Sequence, residues 1–81
     1  MINLREMEYS AVFYGIDFAQ YDSKGRLWFS DSKDMYCLSK EKLYKFELNE
    51  YFYDLQFVED KQGNIWLAGL SMGIYCISVP N

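Results

Sequence analysis

The chain is written twice. Asp22-Ser23-Lys24-Gly25-Arg26-Leu27-Trp28 returns as Asp60-Lys61-Gln62-Gly63-Asn64-Ile65-Trp66, with Asp, Gly and Trp each displaced by 38. A one-residue shift on either side then pairs Phe13 with Phe52, Tyr14 with Tyr53, Phe18 with Phe57, Tyr36 with Tyr75 and Cys37 with Cys76, all displaced by 39. Residues 1–81 therefore read as a single module of two tandem repeats, about 5–40 and 44–78. A unit this short cannot bury its own apolar faces and must stack on a neighbour, so the duplication constrains architecture before any single residue is considered.

Within each unit the apolar period is two, which predicts strands. Ile16 and Phe18 alternate with Asp17 and Ala19, as Leu55 and Phe57 do with Gln56 and Val58. Each strand runs into Asp-x-x-Gly. Asp22 and Asp60 are expected to cap backbone N–H groups at the first turn position, and Gly25 and Gly63 to take the positive φ that closes a hairpin. Leu27-Trp28-Phe29-Ser30 and Ile65-Trp66-Leu67-Ala68 follow as central strands covered on both faces, then Met35-Tyr36-Cys37-Leu38 and Ile74-Tyr75-Cys76-Ile77 as third strands. In Lys42 to Leu48, Tyr44, Phe46 and Leu48 share a face opposite Lys45 and Glu47, which reads as a fourth strand more readily than as a helix from Ser39. Its counterpart lies at the start of the chain, around Met7 and Tyr9. The expected order is thus fourth, first, second, third, and the same again, with the opening strand displaced from its own sheet.

Composition narrows the class. Half the residues are apolar and a fifth aromatic, too rich for disorder, while 12 acidic against 8 basic residues give a net charge of −4. That balance repels phosphate backbones, so nucleic acid is not an expected partner. No apolar run approaches the roughly 18–20 residues that span a bilayer, and the opening Met1-Ile2-Asn3-Leu4-Arg5-Glu6 lacks the order of a signal peptide. The two cysteines occupy equivalent places in successive units, too far apart for a bridge, and are expected to be two buried free thiols.

Chemistry is sparse. Histidine is absent, which removes the usual general base and the commonest metal ligand, so the reading is of a protein that is not an enzyme and uses no cofactor or metal. Asp31-Ser32-Lys33-Asp34 has oxygens that could touch calcium but lacks the alternating acids and glycine of a dedicated loop; a solvated turn is the better reading. Trp28 and Trp66 could stack on sugar rings, but their recurrence within apolar strands favours packing between units.

Four-stranded antiparallel units of about 40 residues stacked face to face are β-propeller blades. The wording Val58-Glu59-Asp60-Lys61-Gln62-Gly63-Asn64-Ile65-Trp66-Leu67, followed by Gly69 and by Gly73-Ile74-Tyr75, resembles the two-component regulator propeller repeat. Tyr21-Asp22-Ser23-Lys24-Gly25-Arg26-Leu27-Trp28-Phe29 is similar to it, with Tyr21 replacing the acidic residue before the aspartate. The resemblance implies an all-β fold of two four-stranded antiparallel blades, an incomplete propeller, since closure takes at least about four. It further implies a non-enzymatic ligand-sensing or scaffolding segment, periplasmic if it belongs to a hybrid histidine kinase, with carbohydrate as the ligand class. Partners would be further blades of a parent chain or other copies, the opening strand of one copy completing the last sheet of the next. In a propeller the second-to-third and fourth-to-first loops share a rim, which nominates Asp31, Asp34, Tyr51 and Ser71 as ligand-binding residues. The alternative is a small acidic standalone protein-binding or inhibitor protein, its duplicated β-meander closed into a sandwich that stays a monomer or a two-fold dimer.

Overall fold

The structure, a computed structural model, describes residues 15–31, 33–48, 55–69 and 73–79 in full and residues 3–7 and 72 through their backbone. Phe13, Tyr14, Phe52 and Tyr53, and with them the outermost equivalences of the repeat, lie outside the described residues, as does Tyr9. Those described form eight strands and no helix: β1 (Asn3–Met7), β2 (Phe18–Tyr21), β3 (Leu27–Ser30), β4 (Met35–Ser39), β5 (Lys42–Glu47), β6 (Gln56–Glu59), β7 (Ile65–Gly69) and β8 (Met72–Ile77). All pairings are antiparallel, in a sheet of order β1-β5-β4-β3-β2 and a three-stranded sheet β6-β7-β8. The two meanders the sequence predicts are present.

The opening strand departs from expectation. β1 lies along the free edge of β5, from Asn3 opposite Glu47 to Met7 opposite Leu43, and so becomes a fifth strand of the first sheet. It does not wait to complete the sheet of another copy. An edge in the same chain satisfies its backbone groups with no association step, and it covers the open ladder of β5. The second sheet keeps three strands.

The repeat equivalence is also corrected. Gln20 faces Trp28 as Val58 faces Trp66, and Phe18 faces Ser30 as Gln56 faces Ala68, so the first strands correspond at a displacement of 38, not 39. Phe18 and Phe57 are therefore on opposite faces of their own sheets. That is why they meet: Phe18 points from the first sheet and Phe57 from the second into the space between them, ring centroids 5.1 Å apart. On the third strands the displacement of 39 holds, Cys37 facing Trp28 as Cys76 faces Trp66. The extra residue enters where the register slips between Ala68 and Gly69, leaving Gly73 without a partner in the ladder.

The core is one cluster shared by both sheets. Trp28, Met35, Cys37, Tyr44 and Phe46 come from the first sheet, Ile65, Leu67 and Ile77 from the second, with Phe57 and Tyr75 packed against them. Trp28 is completely buried, its ring 5.5 Å from that of Phe46 and 5.9 Å from that of Phe57. The opposite face of the first sheet is covered as well, since Tyr36 and Leu43 are buried there. Glu59 links the sheets across their polar margin, accepting hydrogen bonds from the Ser23 N–H (2.9 Å) and hydroxyl (2.6 Å).

One core atom is out of place. Ser30 is fully buried and its hydroxyl has no hydrogen-bond partner among the described residues, whereas Ala68 stands at the equivalent position of the second sheet. An orphaned buried hydroxyl costs about 1–3 kcal/mol. Ser30→Ala is expected to raise the melting temperature by roughly 4 °C or more, given about 4–8 °C per kcal/mol in a domain of this size. A fall on calorimetry would mean that the hydroxyl is bonded after all.

Candidate functional site

The Asp-x-x-Gly-x-x-Trp element forms one hydrogen-bonded unit. Asp22 Oδ1 accepts from the N–H groups of Lys24 (2.9 Å) and Arg26 (3.0 Å), and Oδ2 accepts from Arg26 Nε and from the Trp28 indole N–H (2.8 Å). In the second unit, Asp60 Oδ1 accepts from the N–H groups of Gln62 and Asn64, both at 2.9 Å. Its Oδ2 accepts from Asn64 Nδ2 (3.1 Å) and the Trp66 indole (2.9 Å). Gly25 (φ 77°) and Gly63 (φ 86°) close the turns with N–H bonds to the aspartate carbonyls at 3.2 and 3.1 Å, a type I turn with a left-handed third loop residue. The capping role predicted for both aspartates is seen. What sequence reasoning missed is that the tryptophan six residues on is tied to the same carboxylate, which explains why Asp and Trp recur at fixed spacing.

These bonds set the acidity of the turns. At Asp60 the Trp66 indole is the main cause, with the Asn64 and Gln62 donors adding to it, and the carboxyl is held down at about 2. At Asp22, burial opposes ionisation but is outweighed by the Trp28, Arg26 and Lys24 donors, so its pKa also lies below the ordinary carboxylate value.

At the opposite end, the residues nominated for ligand binding are engaged with their own chain. Asp31 Oδ1 accepts from the Lys33 and Asp34 N–H groups (2.9 and 2.8 Å) and Oδ2 from the Tyr36 hydroxyl (2.9 Å). Burial raises its pKa less than these donors lower it. Asp34 is buried, accepts the Leu48 N–H (2.9 Å) and stands 3.8 Å from Lys45 Nζ. Asp31 thus shapes the β3–β4 loop, and Asp34 ties that loop to the end of β5. Tyr51 and Ser71 lie outside the described residues. Among the described residues, no three His, Cys, Asp or Glu side chains converge as metal ligands.

Two surface features remain. The first is the outward face of the second sheet, where Val58, Trp66 and Cys76 stand in one row across the strands and Gln56, Ala68 and Ile74 in the next. Val58 is 56%, Trp66 40% and Ile74 73% exposed. Both cysteines are free thiols, but only Cys37 is buried as expected; Cys76 is exposed on this face, which no third layer covers among the described residues. Burial pushes the Cys37 thiol up to about 12.

The second is a pocket of about 310 Å³ at the turn end of the first sheet, between the β2–β3 and β4–β5 hairpins. Lys24, Arg26, Lys40 and Lys42 line it, with Ser39 and Tyr44. Compared with protein-family models, curated proteins and solved structures, the chain matches none of them.

Proposed function

We propose that this chain is a non-enzymatic scaffolding or ligand-sensing module, a two-unit segment of a β-propeller-type stack whose open face is covered by a further sheet of the same repeat. One contrast supports this reading. Trp28 and Trp66 are repeat equivalents on equivalent turns, yet Trp28 is fully buried under the neighbouring sheet while Trp66 is 40% exposed beside Val58 and Ile74. The outward face of a sandwich closed on itself is ordinarily polar; this one carries Val58, Trp66, Ile74 and Cys76 with Gln56 beside them, mostly apolar as a surface awaiting a partner is. The covering sheet would come from a second copy or from further blades of a parent chain. The absence of histidine and the structural employment of Asp22, Asp31, Asp34 and Asp60 support a role without catalysis.

A second reading, the small acidic protein-binding or inhibitor protein, draws on the single core shared by the two sheets. Mass distinguishes the two. Light scattering between about 10 µM and 1 mM is expected to show weak concentration-dependent association, because a patch of so few side chains falls well short of the roughly 800 Å² per partner of a standard interface. A Val58→Glu/Ile74→Glu variant is expected to stay a 9.7 kDa monomer. Cys76, on the same face, reports independently: its labelling by a thiol reagent should slow as the protein concentrates, while buried Cys37 stays unlabelled throughout. A monodisperse monomer with a constant labelling rate would sink the scaffolding reading and leave the acidic binder.

A further inference from the structure

We infer that the pocket between the β2–β3 and β4–β5 hairpins is a binding site for a small, multiply charged oxyanion. Three observations converge there. The first is charge placement: in a chain of net charge −4, four of the eight lysines and arginines line this one cavity. Arg26 is shared with Asp22 and the Lys24 ammonium lies beside Gly63 of the β6–β7 turn, but no carboxylate among the described residues forms an ion pair with Lys40 or Lys42, the two ammonium groups of the β4–β5 side. Gathering like charges costs energy in the empty protein, and a bound anion removes that cost.

The second is backbone geometry. Lys40 and Glu41, the two residues of the β4–β5 turn, have φ of 50° and 64°. A two-residue turn with both residues left-handed is the natural province of Asn-Gly or Gly-Gly. Holding two side-chain-bearing residues there costs on the order of 1 kcal/mol or more each. The third is the lining itself, in which Ser39 and Tyr44, two hydroxyl-bearing residues, stand with the basic ones, so the site holds neutral donor types as well as charge. The volume of about 310 Å³ suits a small molecule and not a polymer segment.

The shared chemistry is a compact group carrying at least two negative oxygens, whether a phosphate, a sulfate ester or a polycarboxylate. This inference does not rest on the proposed scaffolding role: it concerns the turn end of the first sheet, not the open face of the second.

The test is an amide-resolved NMR titration of the intact chain at about 50 mM sodium chloride with inorganic pyrophosphate, citrate, a sulfated disaccharide and the unsulfated disaccharide. At least one of the three anions is expected to bind saturably below about 1 mM. Shifts should be confined to Lys24–Arg26 and Ser39–Lys42, and affinity should fall at least 10-fold at 300 mM salt. The neutral sugar should not bind there. Lys40→Gln/Lys42→Gln, which keeps Arg26 and its turn intact, should weaken binding at least 10-fold with an unchanged melting temperature, whereas Lys61→Gln on the β6–β7 turn should not. Absence of saturation by all three anions, shifts spread equally to Lys33 and Lys61, or binding unaffected by the double variant would each overturn it. Which anion binds tightest separates phosphate, sulfate and carboxylate sources.

Discussion

Trp28→Ala is expected to leave the chain largely unfolded at 37 °C. The indole is completely buried, stacks near Phe46 and Phe57 from the two sheets, and donates its N–H to Asp22. Deleting a buried tryptophan typically costs about 3–5 kcal/mol, and a domain of this length has only on the order of 4–12 kcal/mol in all. The melting temperature should fall by roughly 15 °C or more. Trp66→Ala removes the equivalent ring from an open face, so its loss should be much smaller. Urea unfolding of the two variants, followed by far-ultraviolet circular dichroism, checks this directly. Equal losses would mean that the shared core is not centred on the first unit.

Asp22→Ala is the second large effect. The Asp22 side chain is fully buried and serves four donors; without it, the Trp28 indole N–H faces the core alone and Arg26 loses its counter-ion. Removing one partner of a buried pair costs about 3–5 kcal/mol. Asn at this position should recover part of the loss, because it keeps the oxygen that accepts the two backbone N–H groups, but its amide donates where Arg26 and Trp28 also donate. Asp60→Ala empties the same motif at an open site, where water reaches the freed donors, and should cost much less. Acid acts on both turns together. Asp22, Asp31 and Asp60 have folded pKa values below the unfolded value of 3.8, so their contribution is complete above that pH and is lost as pH falls toward about 2, where Asp60 takes up its proton. Unfolding midpoints should therefore be flat from pH 7 to about 5 and drop steeply below about 4. Asp22→Ala should flatten that drop, since one of the three groups is gone.

The hairpins were legible because their signals are local. Asp and Gly at fixed turn positions and alternating apolar residues place β2–β3, β6–β7 and the third strands to within a residue or two, and Tyr44 and Phe46 correctly mark the inward face of β5. What could not be read depends on contacts distant in sequence. Phe18 and Phe57 look like equivalents because both are aromatic and precede the turn, yet only the ladder shows that they face each other across two sheets. The partner of β1 is a choice among the free edges of two sheets, which the local pattern of Asn3–Met7 does not decide. Exposure of Trp66 and Cys76 follows from there being no third layer among the described residues, which a repeat pattern does not count. The basic pocket is hidden for a similar reason: Lys24 and Arg26 are separated from Lys40 and Lys42 by two strands, and an acidic total conceals their meeting. The Lys40-Glu41 turn carries none of the residues by which such turns are recognised.

The slip at Ala68 and Gly69 has a practical consequence for anyone building with this scaffold. The two units tolerate connections of different length at one end, with four residues between the paired Ser30 and Met35 and five between the paired Ala68 and Ile74, while the aspartate turns at the other end are identical in span. Grafted peptides and barcodes belong at the former, where a spare residue is already absorbed by a kink in the ladder. At the latter, a single inserted codon would pull the carboxylate out of reach of its indole.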